Sequence, residues 1–252
     1  MHDRYSRQIL LREIGADGQK KISESKVVVV GCGALGTHAS SMLVRAGVGK
    51  TVVVDPDRVD ITNLHRQTLF GEGAVGRPKA EVAQEMLRSI NSEVSIMGIV
   101  TKVTEDNVED IIAGADAVVD GTDNMTARFI VNDACIKLRT PWVYGGAVGT
   151  SGMAFAVMPD GPCLRCIFPR LPPEGSLPTC DTMGIVNSLP SVVASLEVTE
   201  ALKMLIGQEP IPELMVIDVW SGDFQRIRVR KNEDCITCVR KDFYRYGGQS
   251  DG

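Results

Sequence analysis

Four consecutive valines, at residues 27–30, run directly into Gly31-Cys32-Gly33-Ala34-Leu35-Gly36. A short β-branched run reads as a fully buried strand. The G-x-G-x-x-G spacing closes such a strand with a tight turn and opens a helix. Gly31 permits the turn, Gly33 lets the backbone approach a phosphate, and Gly36 lets the helix lie close to the strand. The sequence therefore begins its core as a parallel βα unit with a nucleotide loop at the strand's carboxyl end.

The pattern continues through residue 146. Helical spacing covers Ala34–Ala46, Lys79–Ile90, 107–112 and Met125–Leu138, and apolar strands are predicted at 51–55, 94–100, Ala117–Asp120 and 142–145. Strands that alternate with helices predict a Rossmann-like, doubly wound, mostly parallel α/β sheet. Beyond residue 146 the pattern changes. Residues 152–158 read as a strand, 190–206 as a helix with Pro190 at its start, and 214–219 with 224–229 as a β-hairpin. The sheet is thus expected to continue as antiparallel strands. Pro169, Pro172, Pro173 and Pro178 mark 169–184 as an irregular, mobile loop.

Cys163-Leu-Arg-Cys166 and Cys235-Ile-Thr-Cys238 supply two C-x-x-C pairs. Two such pairs provide the four corners of one tetrahedral Zn²⁺, whose role is structural because all four positions are filled. The competing redox reading fits less well, since a redox C-x-x-C opens a helix in a thioredoxin-like unit. Seven cysteines, an odd number, argue against a disulfide framework and for a reducing, cytoplasmic setting. A net charge of −5 excludes a broad nucleic-acid surface. No apolar run reaches the ~20 residues that span a bilayer, and the first residues carry no apolar signal core.

Other positions carry chemistry in more than one reading. Asp55 follows Gly36 by the interval at which an acid accepts ribose hydroxyls. Arg66 and Lys79 can reach a triphosphate or can be surface ion-pair partners. Asp123, in Gly121-Thr122-Asp123-Asn124 at a strand's carboxyl end, suits Mg²⁺ or nucleotide; Asp123 or Asn124 also suits an N-cap for the next helix. Cys180 reads equally as a sulfur-relay nucleophile and as an incidental cysteine. Arg4 and Arg7 read as a solvated terminus or as residues acting across a dimer interface.

In order along the chain, Arg4-Tyr-Ser-Arg7-Gln8, the glycine loop, Asp55-Pro56-Asp57, Asn63-Leu64-His65-Arg66-Gln67, Gly76-Arg-Pro-Lys79, Thr122-Asp123-Asn124 and the two C-x-x-C pairs resemble the ThiF/MoeB/HesA family, relatives of ubiquitin-activating enzymes. Ala34 stands where this family often has glycine. The resemblance spans nearly the whole chain and implies a single domain, 1–252, with an ATP-binding part (1–146) and a carrier-binding, zinc-bearing part (147–252). It implies MgATP-dependent adenylation of the Gly-Gly terminus of a small ubiquitin-like sulfur-carrier protein. Asp55 would hold the ribose. Ala34, Asp57, Asn63, Leu64, His65 and Asn124 would line the nucleotide site, with Arg66 and Lys79 on the phosphates. Asp123 would act at metal and α-phosphate, and Arg7 would arrive from the other subunit of a homodimer. Cys180 aligns with a loop cysteine that some relatives use, and the sulfur donor would be a separate protein. The alternatives are an NAD-dependent dehydrogenase, which leaves Arg66, Lys79 and the zinc without a role, an enzyme that adenylates a non-protein carboxylate, and a non-catalytic module that holds a ubiquitin-like tail.

Overall fold

Strand β1 (Lys26–Val30) lies at the centre of the molecule, and every valine in it is buried. The computed structural model describes residues 3–173, 175–176 and 179–244, apart from the side chains of Asp3, Cys180 and Asp181. Side chains alternate across a strand. Val28 and Val30 therefore enter one core with Phe129, Ile130, Trp142 and Phe155. Val27 and Val29 enter another, with Ala39, Leu43, Ala194 and Val198. A strand covered on both faces must be apolar throughout, which is why the valines do not alternate with polar residues.

The other strands are β2 (Lys50–Val54), β3 (Ser95–Ile99), β4 (Ala117–Asp120), β5 (Trp142–Val148), β6 (Ser151–Val157), β7 (Glu213–Asp218) and β8 (Asp223–Arg228). Together they form one eight-stranded sheet in the order β3-β2-β1-β4-β5-β6-β7-β8. Pairing is parallel from β3 to β5 and antiparallel from β5 to β8. The doubly wound start and the antiparallel continuation are as the sequence predicts. The strand at 142–145 runs on to Val148, because Val148 pairs with Ser151 across a tight turn at Gly149 and Thr150.

The helices are α1 (Ser6–Ile9), α2 (Gly15–Glu24), α3 (Ala34–Ala46), α4 (Lys79–Ile90), α5 (Val108–Ile112), α6 (Met125–Leu138), α7 (Leu164–Ile167), α8 (Cys180–Met183) and α9 (Leu189–Ile206). α6 covers one face of the sheet, and α3 and α9 lie side by side on the other. α2 has no strong signal in sequence, yet its Ile22 is fully buried and it packs on α9. Within the Pro-rich stretch, expected to lack regular structure, α8 makes one helical turn.

α9 buries a charge-bearing group in this core. Glu197 is 0% exposed, and neither carboxylate oxygen has a hydrogen-bond partner. Its carboxyl lies against β5, where any side chain at Gly145 would overlap it. Burial pushes the Glu197 carboxyl well above the usual 4.5, helped by nearby Asp120 and opposed by Arg128. A raised acid favours its neutral form in the fold, so its stabilising contribution is complete below pH ~4.5 and is lost as pH rises toward the shifted value. Glu197→Gln keeps the shape and removes the titration. We expect it to raise stability by about 1–2 kcal/mol at pH 8, with the gap closing toward pH 5. Chemical denaturation at several pH values measures this, and a gap that does not change with pH would refute the assignment.

Candidate functional site

Two loops meet at the point where strand order reverses. After β1 the next strand in sequence, β2, lies on one side, and β4 lies on the other. Loops at the carboxyl ends of such strands splay apart and leave a crevice. Here the loop after β1 and the loop after β4 touch. Gly31 has φ +91°, and a Cβ at Gly31 would overlap the Gly121 carbonyl. A Cβ at Gly36 would in turn overlap the Gly31 carbonyl. The glycine loop is therefore as tight as the sequence requires, and Gly121 makes the second half of the contact.

The amino end of α3 begins at Gly33, with no side chain capping it. Such an end presents backbone N–H groups and positive potential to an anion. Asp55, buried just past β2, braces the loop. Its Oδ2 accepts from the Cys32 N–H at 2.6 Å, and its Oδ1 accepts from the Asp57 N–H at 2.8 Å. Burial raises the Asp55 carboxyl, while those two N–H groups and Lys79 pull it back down. Burial also pushes the Cys32 thiol far up, so Cys32 is no nucleophile.

Lys79 opens α4 with its Nζ buried and 3.2 Å from Asp57 Oδ2, which is exposed. Arg66 is held by its own turn. Its Nη2 donates to Asn63 Oδ1 at 2.9 Å, and its Nη1 donates to the Thr62 carbonyl at 3.2 Å and to His65 Nε2 at 2.9 Å. Leu64 is half-buried beside them. Gln67 follows as a buried amide whose Oε1 has no partner and whose Nε2 lies near Gly33. Gln67 closes the motif that begins at Asn63, and sequence alone assigns it no role.

The loop after β4 is clamped at Thr122. Asp120 Oδ1 accepts from the Thr122 N–H (2.9 Å) and hydroxyl (2.7 Å). Arg128 Nε donates to Asp120 Oδ2 at 2.9 Å, and Arg128 Nη2 donates to the carbonyls of Thr122 (2.8 Å) and Gly145 (2.9 Å). The two readings of Asp123-Asn124 fall on adjacent residues. Asn124 caps α6, its Oδ1 accepting from the Ala127 N–H at 2.8 Å. Asp123 is left exposed at the loop's tip. Sequence alone marks neither Asp120 nor Arg128 as a site residue.

Arg7 is not brought to this crevice within one chain. Its neighbour Tyr5 packs against Gly47, at the carboxyl end of α3, and accepts from Asn91 Nδ2 at 2.8 Å. That end lies about 20 Å along α3 from the glycine loop. Cys180 begins α8, and its side chain lies outside the described residues.

The four knuckle cysteines converge. Their sulfurs all lie within 4.8 Å of one another, with Cys163–Cys235 and Cys166–Cys238 at 3.6 Å. Metal–sulfur bonds of about 2.3 Å at tetrahedral angles put sulfurs ~3.8 Å apart, so this donor set fits one tetrahedral thiolate-bound metal. Among the described residues, no helix is long and apolar enough to cross a membrane.

The profile of the ThiF family matches residues 5–237. The chain belongs to the ThiF family. The chain is 45% identical over 248 residues to the sulfur carrier protein ThiS adenylyltransferase of Bacillus subtilis, covering 96% of this chain and 73% of that one. It is 41% identical over 238 residues to the SAMP-activating enzyme E1 of Haloferax volcanii, covering 94% and 88%. Among solved structures, Escherichia coli MccB with ATP superimposes with a TM-score of 0.80 at 25% identity, over 94% of this chain and 75% of that one. This ThiF-family chain thus shares its fold with a protein solved with ATP.

The Asp120–Arg128 pair carries a stability prediction. Arg128→Met leaves Asp120 buried and unpaired, which costs about 3–5 kcal/mol. Asp120→Asn combined with Arg128→Met should recover part of that loss in urea unfolding. A single Arg128→Met variant as stable as the wild type would show that the clamp does not hold the loop.

Proposed function

We propose that the chain uses ATP to adenylate the C-terminal Gly-Gly carboxylate of a small ubiquitin-like sulfur-carrier protein, releasing pyrophosphate. The observation that carries this reading is the contact of Gly31 with Gly121. It sets an uncapped helix end and an exposed acid, Asp123, beside one another in a crevice. The relatives named as a sulfur carrier protein ThiS adenylyltransferase and a SAMP-activating enzyme E1 support the substrate class.

The chemistry needs no base. A carboxylate is ionised at neutral pH, so one of its oxygens attacks the α-phosphorus directly. The bond from phosphorus to the bridging oxygen breaks, and its electron pair leaves on pyrophosphate. What opposes this step is repulsion between anions, and fixed positive groups relieve it. Lys79 and Arg66 supply those charges, and the amino end of α3 receives a phosphate through Gly33 and Ala34. Asp55 and Asp57 lie at the ribose side, with Asn63, Leu64 and His65 lining the wall and Asn124 fixing the loop. Asp123 would hold Mg²⁺, which when bound offsets phosphate charge.

Arg7 would complete the site from the second subunit of a homodimer, because its own subunit places it far from the crevice. Residues 1–146 would bind ATP and 147–252 would receive the carrier, within one domain. Cys163, Cys166, Cys235 and Cys238 would hold Zn²⁺ as a structural ion. A cytoplasmic, reducing setting suits those thiols. The activated carrier would accept sulfur from a separate donor, with Cys180 as the candidate relay thiol.

ATP–pyrophosphate exchange with a panel of Gly-Gly-ended carriers tests the reading. Exchange should appear with one carrier and vanish when its Gly-Gly is removed. Asp123→Ala should lower exchange by about 100-fold or more without changing the melting temperature, since Asp123 is exposed. ATP binding with no exchange on any carrier would point to a different carboxylate.

A further inference from the structure

A single buried carboxylate reaches into both cysteine knuckles. Asp133, on α6, is 0% exposed. Its Oδ1 accepts from Arg165 Nε at 3.2 Å and from the Thr237 hydroxyl at 2.7 Å. Its Oδ2 accepts from Arg165 Nη2 at 3.0 Å and from the Tyr244 N–H at 2.9 Å. Arg165 lies between Cys163 and Cys166, and Thr237 lies between Cys235 and Cys238. The preceding residue works the same way, since Asn132 Oδ1 accepts from the Leu164 N–H at 2.9 Å inside the first knuckle. Both cysteine pairs are thus tied at their interior residues to one turn of one helix.

We propose that Asp133 is a positioning residue for the metal centre, holding the two knuckles against α6 so that their four thiols stand at metal-binding distance. The role rests on the reading of the cluster as a zinc site. The argument is one of ordering. The two knuckles are far apart in the chain, and bringing their thiols together costs conformational entropy that a metal would otherwise have to supply. Asp133 supplies it in advance. Its two oxygens fix the Arg165 guanidinium in the fork geometry that leaves little freedom. That guanidinium also lies over the Phe129 ring, 4.5 Å from its centre, which locks it from the other side. The arrangement matches the rule that groups behind the ligands set metal affinity.

The test compares the whole protein with Asp133→Asn and Thr237→Val. Asp133→Asn removes the charge that pairs with Arg165. Thr237→Val removes one hydroxyl and leaves the ion pair, so it folds even where the first variant does not. Zinc content is measured first, then zinc release to a chromogenic chelator, the d–d spectrum of the Co²⁺ form, and melting with and without metal. We expect one zinc per wild-type chain and release about 10-fold faster or more in Asp133→Asn, with a smaller increase in Thr237→Val. The Co²⁺ bands should shift in both. Unchanged release and unchanged Co²⁺ bands in both variants, with melting lowered equally in metal-bound and metal-free forms, would make Asp133 an ordinary core residue and overturn the proposal. A wild-type chain that takes up no zinc would overturn the metal reading itself, which is a distinct result.

Discussion

The buried Asp120–Arg128 pair is the interaction on which the crevice depends. Two charges in a protein interior lose water that their mutual attraction alone replaces poorly. Here the remaining capacity is used. Asp120 also receives two hydrogen bonds from Thr122, and Arg128 also serves two carbonyls and lies 5.1 Å over the Tyr144 ring. The pair therefore joins three segments: the end of β4, the loop to α6, and the middle of β5. It works with the Asn124 cap on the Ala127 N–H and the Gly121 N–H bond to the Val30 carbonyl to fix the backbone on both sides of Asp123. The exposed acid can be flexible at its side chain and still start from one backbone position.

The same helix serves the other end of the molecule's chemistry. α6 begins at the Asn124 cap, carries Arg128 one turn later, and presents Asn132 and Asp133 to the cysteine knuckles after that. One 14-residue helix is thus the common frame of the nucleotide loop and of the thiol cluster. This explains a composition that looks odd for a buried helix. Asn132 and Asp133 are fully buried among apolar neighbours, and each is polar because it has backbone or guanidinium partners to receive. Glu197 is the contrasting case, a buried acid with no such partners.

Much of this was legible in the sequence because it rests on local rules. The valine run and glycine spacing fix β1, the turn and α3 through sterics that act within ten residues. The Asn124 cap is visible because an N-cap acts on a backbone N–H three residues away. The convergence of the two C-x-x-C pairs is visible because the same local spacing occurs twice. What stayed hidden is non-local. Thr237 and Asp133 are 104 residues apart, and Arg165 and Asp133 are 32 apart. No periodicity marks such partners. In sequence Asp120 is simply the last residue of a strand, and the one signal it offers is that a charge closing a buried strand demands a buried cation. α2 is hidden in the sequence because a mixed, weakly patterned stretch acquires its buried face only when α9 is there to cover it.

Arg7 shows how the fold can place a motif where sequence order would not put it. The motif stands at the amino end of the chain, and the residues it would serve follow β1, β2 and β4. α1 instead packs at the opposite end of α3, where Tyr5 fills the space beside Gly47 and Gln8 Nε2 donates to the Ala46 carbonyl at 3.0 Å. These contacts anchor the segment firmly, so Arg7 cannot swing some 20 Å to its own crevice without breaking them. Leu10 and Leu11 stand exposed just beyond it. A fixed, outward-facing arginine beside exposed leucines is coherent if a second chain covers the leucines and receives the arginine. In the proposed site the cationic count would then depend on association: Arg66 and Lys79 belong to one chain, and the third charge would arrive only when two chains meet.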